Sequence, residues 1–366
     1  MSNLPGGYTP SSDEVGRSGV QNFGRARKAA PGTGGGRRGR RRGEQAMVPD
    51  AEFTSYYGRP ILKAAPWTAD IPAYFFTGGL AGGSALLAAG ADLTGRPTLR
   101  RASRFGAFGA LLASMYFLIH DLGRPSRFLN MLRVAKPTSP MSTGTWILSA
   151  FAPPAGVAAV AELRPYLPRW LGWLGRLLGL VDRPAGLLAA GIGPAVASYT
   201  SVLLADTATP SWHEGWRELP FVFVGSAALA SGGYGMIAAP TDEGGPARAF
   251  ALGGVALELA AEHRMEQSMG LVAEPLHEGK AGAFMKASKA LSAAGAVGTL
   301  FAGRSRRVAI ASGAALLASS VCTRFGVFHA GQQSARDPKY TVVPQRERLA
   351  VGLNDHAAAA SEPAER

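Results

Sequence analysis

An apolar stretch of the sequence ends in a dense group of ionisable side chains, HDLGRPSR at residues 120–127. His120 and Asp121 are adjacent, and Arg124 follows about one helical turn later. A histidine titrates near neutral pH, so beside a carboxylate it can donate a hydrogen bond to a carbonyl oxygen and then supply a proton. The alternative is an interfacial cluster that caps a helix and binds lipid headgroups, with Arg124 and Asp121 forming a structural ion pair.

Two further pairs of residues stand in or beside apolar runs. Asp70 and Tyr74 are one turn apart where the first run begins, and Tyr199 and Thr200 lie within a later run. A phenol in an apolar helix needs a hydrogen-bond partner, which is either a ligand or another helix. Asp70 could instead be the N-cap of its helix.

Two glutamates form a third candidate site. Glu258 and Glu262 are four residues apart, which places both carboxylates on one face of a helix. Because an ionisable group at membrane depth is costly and is usually functional, the pair predicts a proton path. Alternatively, Glu262 lies at the edge of a short span and reaches the interface.

The elements that carry these residues are long and apolar. The chain is 47% hydrophobic and only 17% charged, against about 25% charged in an average soluble domain. Runs of about 20 residues or more, enough to cross a ~30 Å hydrocarbon core, lack Asp, Glu, Lys and Arg at 71–91, 137–161, 184–205 and 219–241. Shorter apolar runs occur at 105–119, 249–257, 290–303 and 308–323. The long runs show no polar face of period 3.6, as a soluble bundle would need.

We therefore predict an all-α, polytopic integral membrane protein with about eight transmembrane helices. Residues 1–55 are Arg- and Gly-rich and predict a disordered tail; residues 56–330 form the membrane domain, and 331–366 a polar tail. Residues 163–183 predict a short amphipathic helix in the interface. The net charge of +13 comes largely from the tail and loops, which favours anionic lipid over nucleic acid as the partner.

Orientation and cofactor content also follow from residue types. The distribution of Lys and Arg among the loops favours cytoplasmic termini in a multi-pass protein of the plasma membrane. Cys322 is the only cysteine, whereas an iron–sulfur cluster needs about four thiolates. None of the six histidines lies well inside an apolar run. We predict neither haem nor an iron–sulfur cluster in this chain.

Four motifs occur in order along the chain: PWTADIPAYFFTGGLAGGS from Pro66, HDLGRPSRF from His120, SPMSTGTW from Ser139 and YTSVLLADTATPSW from Tyr199. Together they resemble the NrfD/PsrC family, the polysulfide reductase-type, quinone-reactive membrane subunits of iron–sulfur molybdoenzymes. The resemblance runs from about residue 57 to about residue 344. Ser201, where many relatives have glycine, and the long Arg-rich N-terminus depart from it.

The resemblance implies a chain of eight spans without a cofactor of its own, in a formate dehydrogenase- or polysulfide reductase-like complex. Its partners would be a four-cluster ferredoxin-like iron–sulfur subunit and a molybdenum or tungsten catalytic subunit. Electrons and protons would be exchanged with menaquinone or ubiquinone, in either direction. The residues expected to bind the quinone are Asp70, Tyr74, His120, Asp121, Arg124, Tyr199 and Thr200. A proton-coupled transporter and an anchor without quinone chemistry stay open as alternatives.

Overall fold

The computed structural model describes residues 60–349. Eight helices of 20 residues or more make up most of this part of the chain. They are α1 (Asp70–Leu93), α2 (Pro97–Asp121), α3 (Pro140–Ala161), α4 (Gly172–Ala205), α5 (Leu219–Ala238), α6 (Gly245–Met269), α7 (Gly279–Phe301) and α8 (Arg306–Arg336). Short helices at Phe128–Met131 and Pro210–Glu214 lie in the connections.

Each apolar run in the sequence coincides with one of these eight helices, which confirms the predicted all-α membrane fold. Six of them, α1 to α5 and α8, are long and apolar enough to cross a membrane. α6 and α7 have similar lengths but carry more charged side chains, including Glu258, Glu262 and Lys289. Of these two charged helices, α6 packs against the apolar α5 and α7 packs against the apolar α8.

Close contacts between helices fix their relative directions. A methyl group on Gly225 of α5 would meet Glu258 of α6, and one on Gly232 would meet Ala251, so α5 and α6 are antiparallel. α1 and α5 run the same way, because the ring of Phe75 packs on that of Phe223 while Gly83 lies against Ser231. The eight helices thus alternate in direction. The end of the bundle that holds Asp70, Asp121 and Met269 is called face A, and the opposite end, with Leu93 and Ala161, face B.

Glycine pairs allow the helix backbones to approach each other. A methyl group on Gly82 of α1 would lie 2.3 Å from the carbonyl oxygen of Gly193 in α4. Without a hydrophobic drive between helices in lipid, close backbone packing is a main source of association. The Gly-rich first span therefore forms the centre of the bundle, between α4 and α5.

A charged network joins the ends of four helices at face B. The buried carboxylate of Glu162, at the end of α3, lies 2.7 Å from Nε of Arg100 and 3.0 Å from Nη1 of Arg104. Arg104 also pairs with Asp182 of α4. Nε of Arg101 lies 3.5 Å from Glu162. Asp92 of α1 pairs with Arg100 at 3.2 Å and with Arg183 of α4 at 3.3 Å.

The segment after α3 differs from the prediction. No separate interfacial helix forms; two 3-10 turns, Arg164–Tyr166 and Arg169–Leu171, lead directly into α4. α4 has 34 residues, about 51 Å at 1.5 Å per residue, and it passes through Pro184. Its first turns extend beyond the thickness of a ~30 Å hydrocarbon core, and Trp170 and Trp173 are exposed there. The ion pair between Asp182 and Arg104 holds the segment before the proline against α2.

The last helix continues to Arg336, and residues 339–349 are helical as well. Tyr340 is buried there, and its hydroxyl lies 3.3 Å from Glu274. Burial, with the negative charges of Glu274, Glu278 and Asp337, raises the pKa of Tyr340. The tail predicted for residues 1–55 lies outside the described residues.

Candidate functional site

The start of α1 and the end of α2 meet at face A and bring three predicted residues together. Nδ1 of His120 lies 2.7 Å from Oδ2 of Asp70. The hydroxyl of Thr68 lies 3.0 Å from Oδ1 of Asp121 and 3.1 Å from Oδ2 of Asp70. Since a hydroxyl has one hydrogen, it donates to one carboxylate at a time. Thr68 therefore connects the two acids, a role that its residue type alone does not reveal.

This acid–histidine cluster is partly exposed at face A. The His120 side chain is 62% exposed and that of Asp70 23% exposed, and the ring of Tyr116 stacks on His120 with centroids 5.7 Å apart. A group at this boundary can exchange protons with the aqueous phase. The cluster therefore has the composition and the access expected of a proton donor at a membrane surface.

Two alternatives from the sequence are wrong. Asp70 is the first residue of α1 and not its N-cap, which is Ala69 and makes no side-chain cap bond. Asp121 accepts a hydrogen bond from Thr68. Arg124 is exposed in the connection after α2 and forms no ion pair with Asp121 within residues 60–349. The structure thus brings Asp70, His120 and Asp121 together and leaves Arg124 beside them.

One helical turn below the cluster, two buried tyrosines face each other. Tyr74 follows Asp70 on the same side of α1, and its ring meets that of Tyr199 of α4 edge-on, with centroids 6.3 Å apart. Tyr74 is 3% and Tyr199 7% exposed. The Tyr199 hydroxyl and the neighbouring Thr200 hydroxyl have no hydrogen-bond partner among the described residues. Because buried polar groups are nearly always paired, a ligand that pairs with Tyr199 fits this position.

A glycine of the SPMSTGTW motif determines where the Tyr199 ring lies. A methyl group on Gly144 of α3 would lie 2.4 Å from Cε2 and 2.6 Å from Cδ2 of Tyr199. The absence of a side chain at Gly144 therefore lets the ring pack directly on the α3 backbone. Two motifs far apart in the sequence meet at this contact, and the sequence analysis did not assign Gly144 to the site.

Glu258 and Glu262 lie elsewhere, in the interior of the bundle. They are 1% and 2% exposed, and Thr323 of α8 donates to Oε1 of Glu258 over 2.8 Å. Arg324, the residue after Thr323, is fully buried. The sequence analysis missed Arg324 because the apolar run stops at residue 323, whereas α8 continues to Arg336. The apolar residues that follow Arg324, FGVFHAG, indicate that the helix continues past the arginine.

Residues 62–241 match the family model described as polysulphide reductase, NrfD. These residues belong to the NrfD family. No curated protein matches the chain. The NrfD segment contains α1 to α5, and with them all seven residues predicted to bind quinone. α6 to α8, with Glu258 and Glu262, lie beyond the match, so the family assignment does not bear on the acidic pair.

Proposed function

We propose that this NrfD protein is the quinone-reactive membrane subunit of a multi-subunit oxidoreductase. The observation that carries the proposal is the buried Tyr199 hydroxyl, which has no hydrogen-bond partner within residues 60–349. It belongs to a ring that meets Tyr74, one turn below the cluster of Asp70, His120 and Asp121. A quinone has two carbonyl oxygens on a flat apolar ring. The tyrosine pair offers a donor and aromatic walls for such a ring, and the cluster offers protons.

Each residue has a distinct task in this proposal. Tyr199 donates a hydrogen bond to one quinone carbonyl oxygen and orients the ring, with Tyr74 packing at its edge and Thr200 available as a second donor. His120, held by Asp70, supplies a proton as the ring takes up electrons. Asp121, connected to Asp70 through Thr68, returns a proton from water to the cluster, and Arg124 beside it contributes a fixed positive charge. Reduction of a quinone to a quinol consumes two electrons and two protons; quinol oxidation runs through the same groups in reverse.

The electrons must come from or go to a partner. We propose a four-cluster ferredoxin-like iron–sulfur subunit on face A, linked to a molybdenum or tungsten catalytic subunit of the formate dehydrogenase or polysulfide reductase type. The exposed Leu129 and Val134, among the basic residues of the connection after α2, support a protein contact beside the cluster. We propose the plasma membrane as the location, menaquinone or ubiquinone as the quinone, and the cytoplasm as the compartment at face A.

The experiment has two parts. The tagged chain is purified from its native membrane in a mild detergent and its partners are identified. A short-chain quinone is then titrated into wild type, Tyr199→Phe and Asp121→Asn. Tyr234→Phe is the matched control, because the Tyr234 hydroxyl bonds the carbonyl of Ala102, away from the site.

We expect an iron–sulfur subunit to co-purify, and quinone affinity to fall in the two site variants but not in the control. A chain that purifies with its partner yet binds no quinone would be an anchor without quinone chemistry. A chain that purifies alone and binds no quinone would favour a proton-coupled transporter. Either result would overturn the proposed function. Glu258 and Glu262 are proposed separately as part of a proton path.

A further inference from the structure

The three helices beyond the NrfD segment, α6 to α8, hold charged groups that the proposed quinone site does not use. Arg324 donates through Nη2 to the carbonyl of Phe223 over 2.7 Å, and its guanidinium carbon lies 3.8 Å from the centre of the Phe223 ring. Its Nε and Nη1 atoms, and Oε2 of Glu258, have no hydrogen-bond partner among the described residues. Burying unpaired charged groups within a membrane protein costs free energy, so their presence needs a reason beyond packing.

A series of carboxylates leads from Glu258 towards face A. Glu258, Glu262 and Glu266 follow one another at intervals of four residues, and so occupy one face of α6. Nζ of Lys289 lies 2.7 Å from Oε1 of Glu266. Nε2 of His277, whose side chain is 52% exposed, lies 3.7 Å from Oε2 of the same glutamate. The acidic series therefore begins beside the exposed His277 at face A.

On the other side of Glu258, hydroxyl groups continue the polar contacts. Thr323 donates to Glu258; its hydroxyl lies 2.7 Å from that of Ser288, which lies 3.0 Å from that of Ser319. All three hydroxyl residues are buried, and Ser319 is one turn nearer face B than Thr323. Further buried hydroxyl residues lie towards face B in α7 and α8, namely Ser292, Thr299 and Ser312. Since a hydroxyl both donates and accepts, such a chain can relay a proton.

We propose that α6, α7 and α8 enclose a proton-conducting route that enters at Glu266 on face A, passes through Glu262 to Glu258, and continues through Thr323, Ser288 and Ser319 towards face B. Arg324 follows Thr323, which bonds Glu258, and supplies a buried positive charge to this part of the route. No bond to carbon changes and no group is oxidised. The route rests on the proton role proposed for Glu258 and Glu262 and is independent of quinone binding.

Proton flux across a membrane tests the route. The full chain is reconstituted in liposomes that contain a pH-sensitive dye, and a potassium gradient with valinomycin drives protons inward. Wild-type liposomes should acidify faster than protein-free liposomes. Thr323→Val removes one hydroxyl at nearly constant volume, and should reduce the rate to the protein-free level, whereas Thr323→Ser should retain it. Ser231→Ala is the control, because this buried hydroxyl of α5 bonds the carbonyl of Leu80 outside the chain of contacts.

Two results would overturn the proposal: a wild-type rate equal to that of protein-free liposomes, or an undiminished rate in Thr323→Val. If the valine variant does not fold, Glu258→Gln takes its place with the same expectation. Quinone titration of each variant separates the two proposals. Loss of proton flux with unchanged quinone affinity supports the route and leaves the quinone site intact.

Discussion

Replacing Gly144 with alanine should displace the Tyr199 ring and weaken quinone binding. The added methyl group would lie 2.4 Å from Cε2 of Tyr199, which no ordinary contact allows, so either the ring or the α3 backbone must move. Overpacking of this kind costs about 1–3 kcal/mol. A displaced ring would lose the hydrogen bond proposed between Tyr199 and the quinone. Such a bond is worth about 0.5–1.5 kcal/mol, so its loss would raise the quinone Kd roughly two- to thirteenfold.

The assay is a quinone titration followed by thermal unfolding of the same samples. Gly109→Ala in α2 is the matched control, because a methyl group there would meet no atom within 4 Å; its Kd should equal that of wild type. In the Tyr199→Phe background, Gly144→Ala should add little, because both changes remove one interaction. A folded Gly144→Ala protein with unchanged Kd, or effects that simply add, would refute the placement of Tyr199 in the site.

Three further changes have defined outcomes. Asp70→Asn should lower the rate of quinone reduction, because His120 loses its charged partner. The free energy of unfolding should change by less than about 1 kcal/mol, since the pair is partly exposed. An unaltered rate would contradict the proposed proton role. Glu162→Gln should destabilise the protein by about 3 kcal/mol, because it leaves buried Arg104 without one carboxylate. Arg101 is exposed, so Arg101→Gln should lower the stability far less in the same melting experiment. Gly193→Ala should lower the melting temperature, because its methyl group would lie 2.5 Å from the carbonyl oxygen of Gly82, whereas Gly191→Ala, with open space around it, should not.

The sequence was sufficient for the helices and for the meeting of Asp70, His120 and Asp121 at face A. Charge-free runs indicated the helices because any charge within a hydrocarbon core is expensive. Asp70, His120 and Asp121 could be grouped because antiparallel neighbours with a short connection must bring the start of one helix next to the end of the other. This reasoning could not predict where α8 ends or where α4 begins. An arginine or a proline usually marks the end of an apolar helix, whereas Arg324 and Pro184 lie within these two helices.

By itself the sequence determined a membrane-spanning helical protein with an acid–histidine cluster at one end of its first two spans. Only the tertiary structure decided that Thr68 connects the two acids, that Gly144 receives the Tyr199 ring, and that Arg324 is buried against Phe223. The physical reason is the range of each effect. Transfer of a side chain into lipid depends on that residue and its near neighbours, whereas a hydrogen bond or a backbone contact depends on helices brought together from distant parts of the chain.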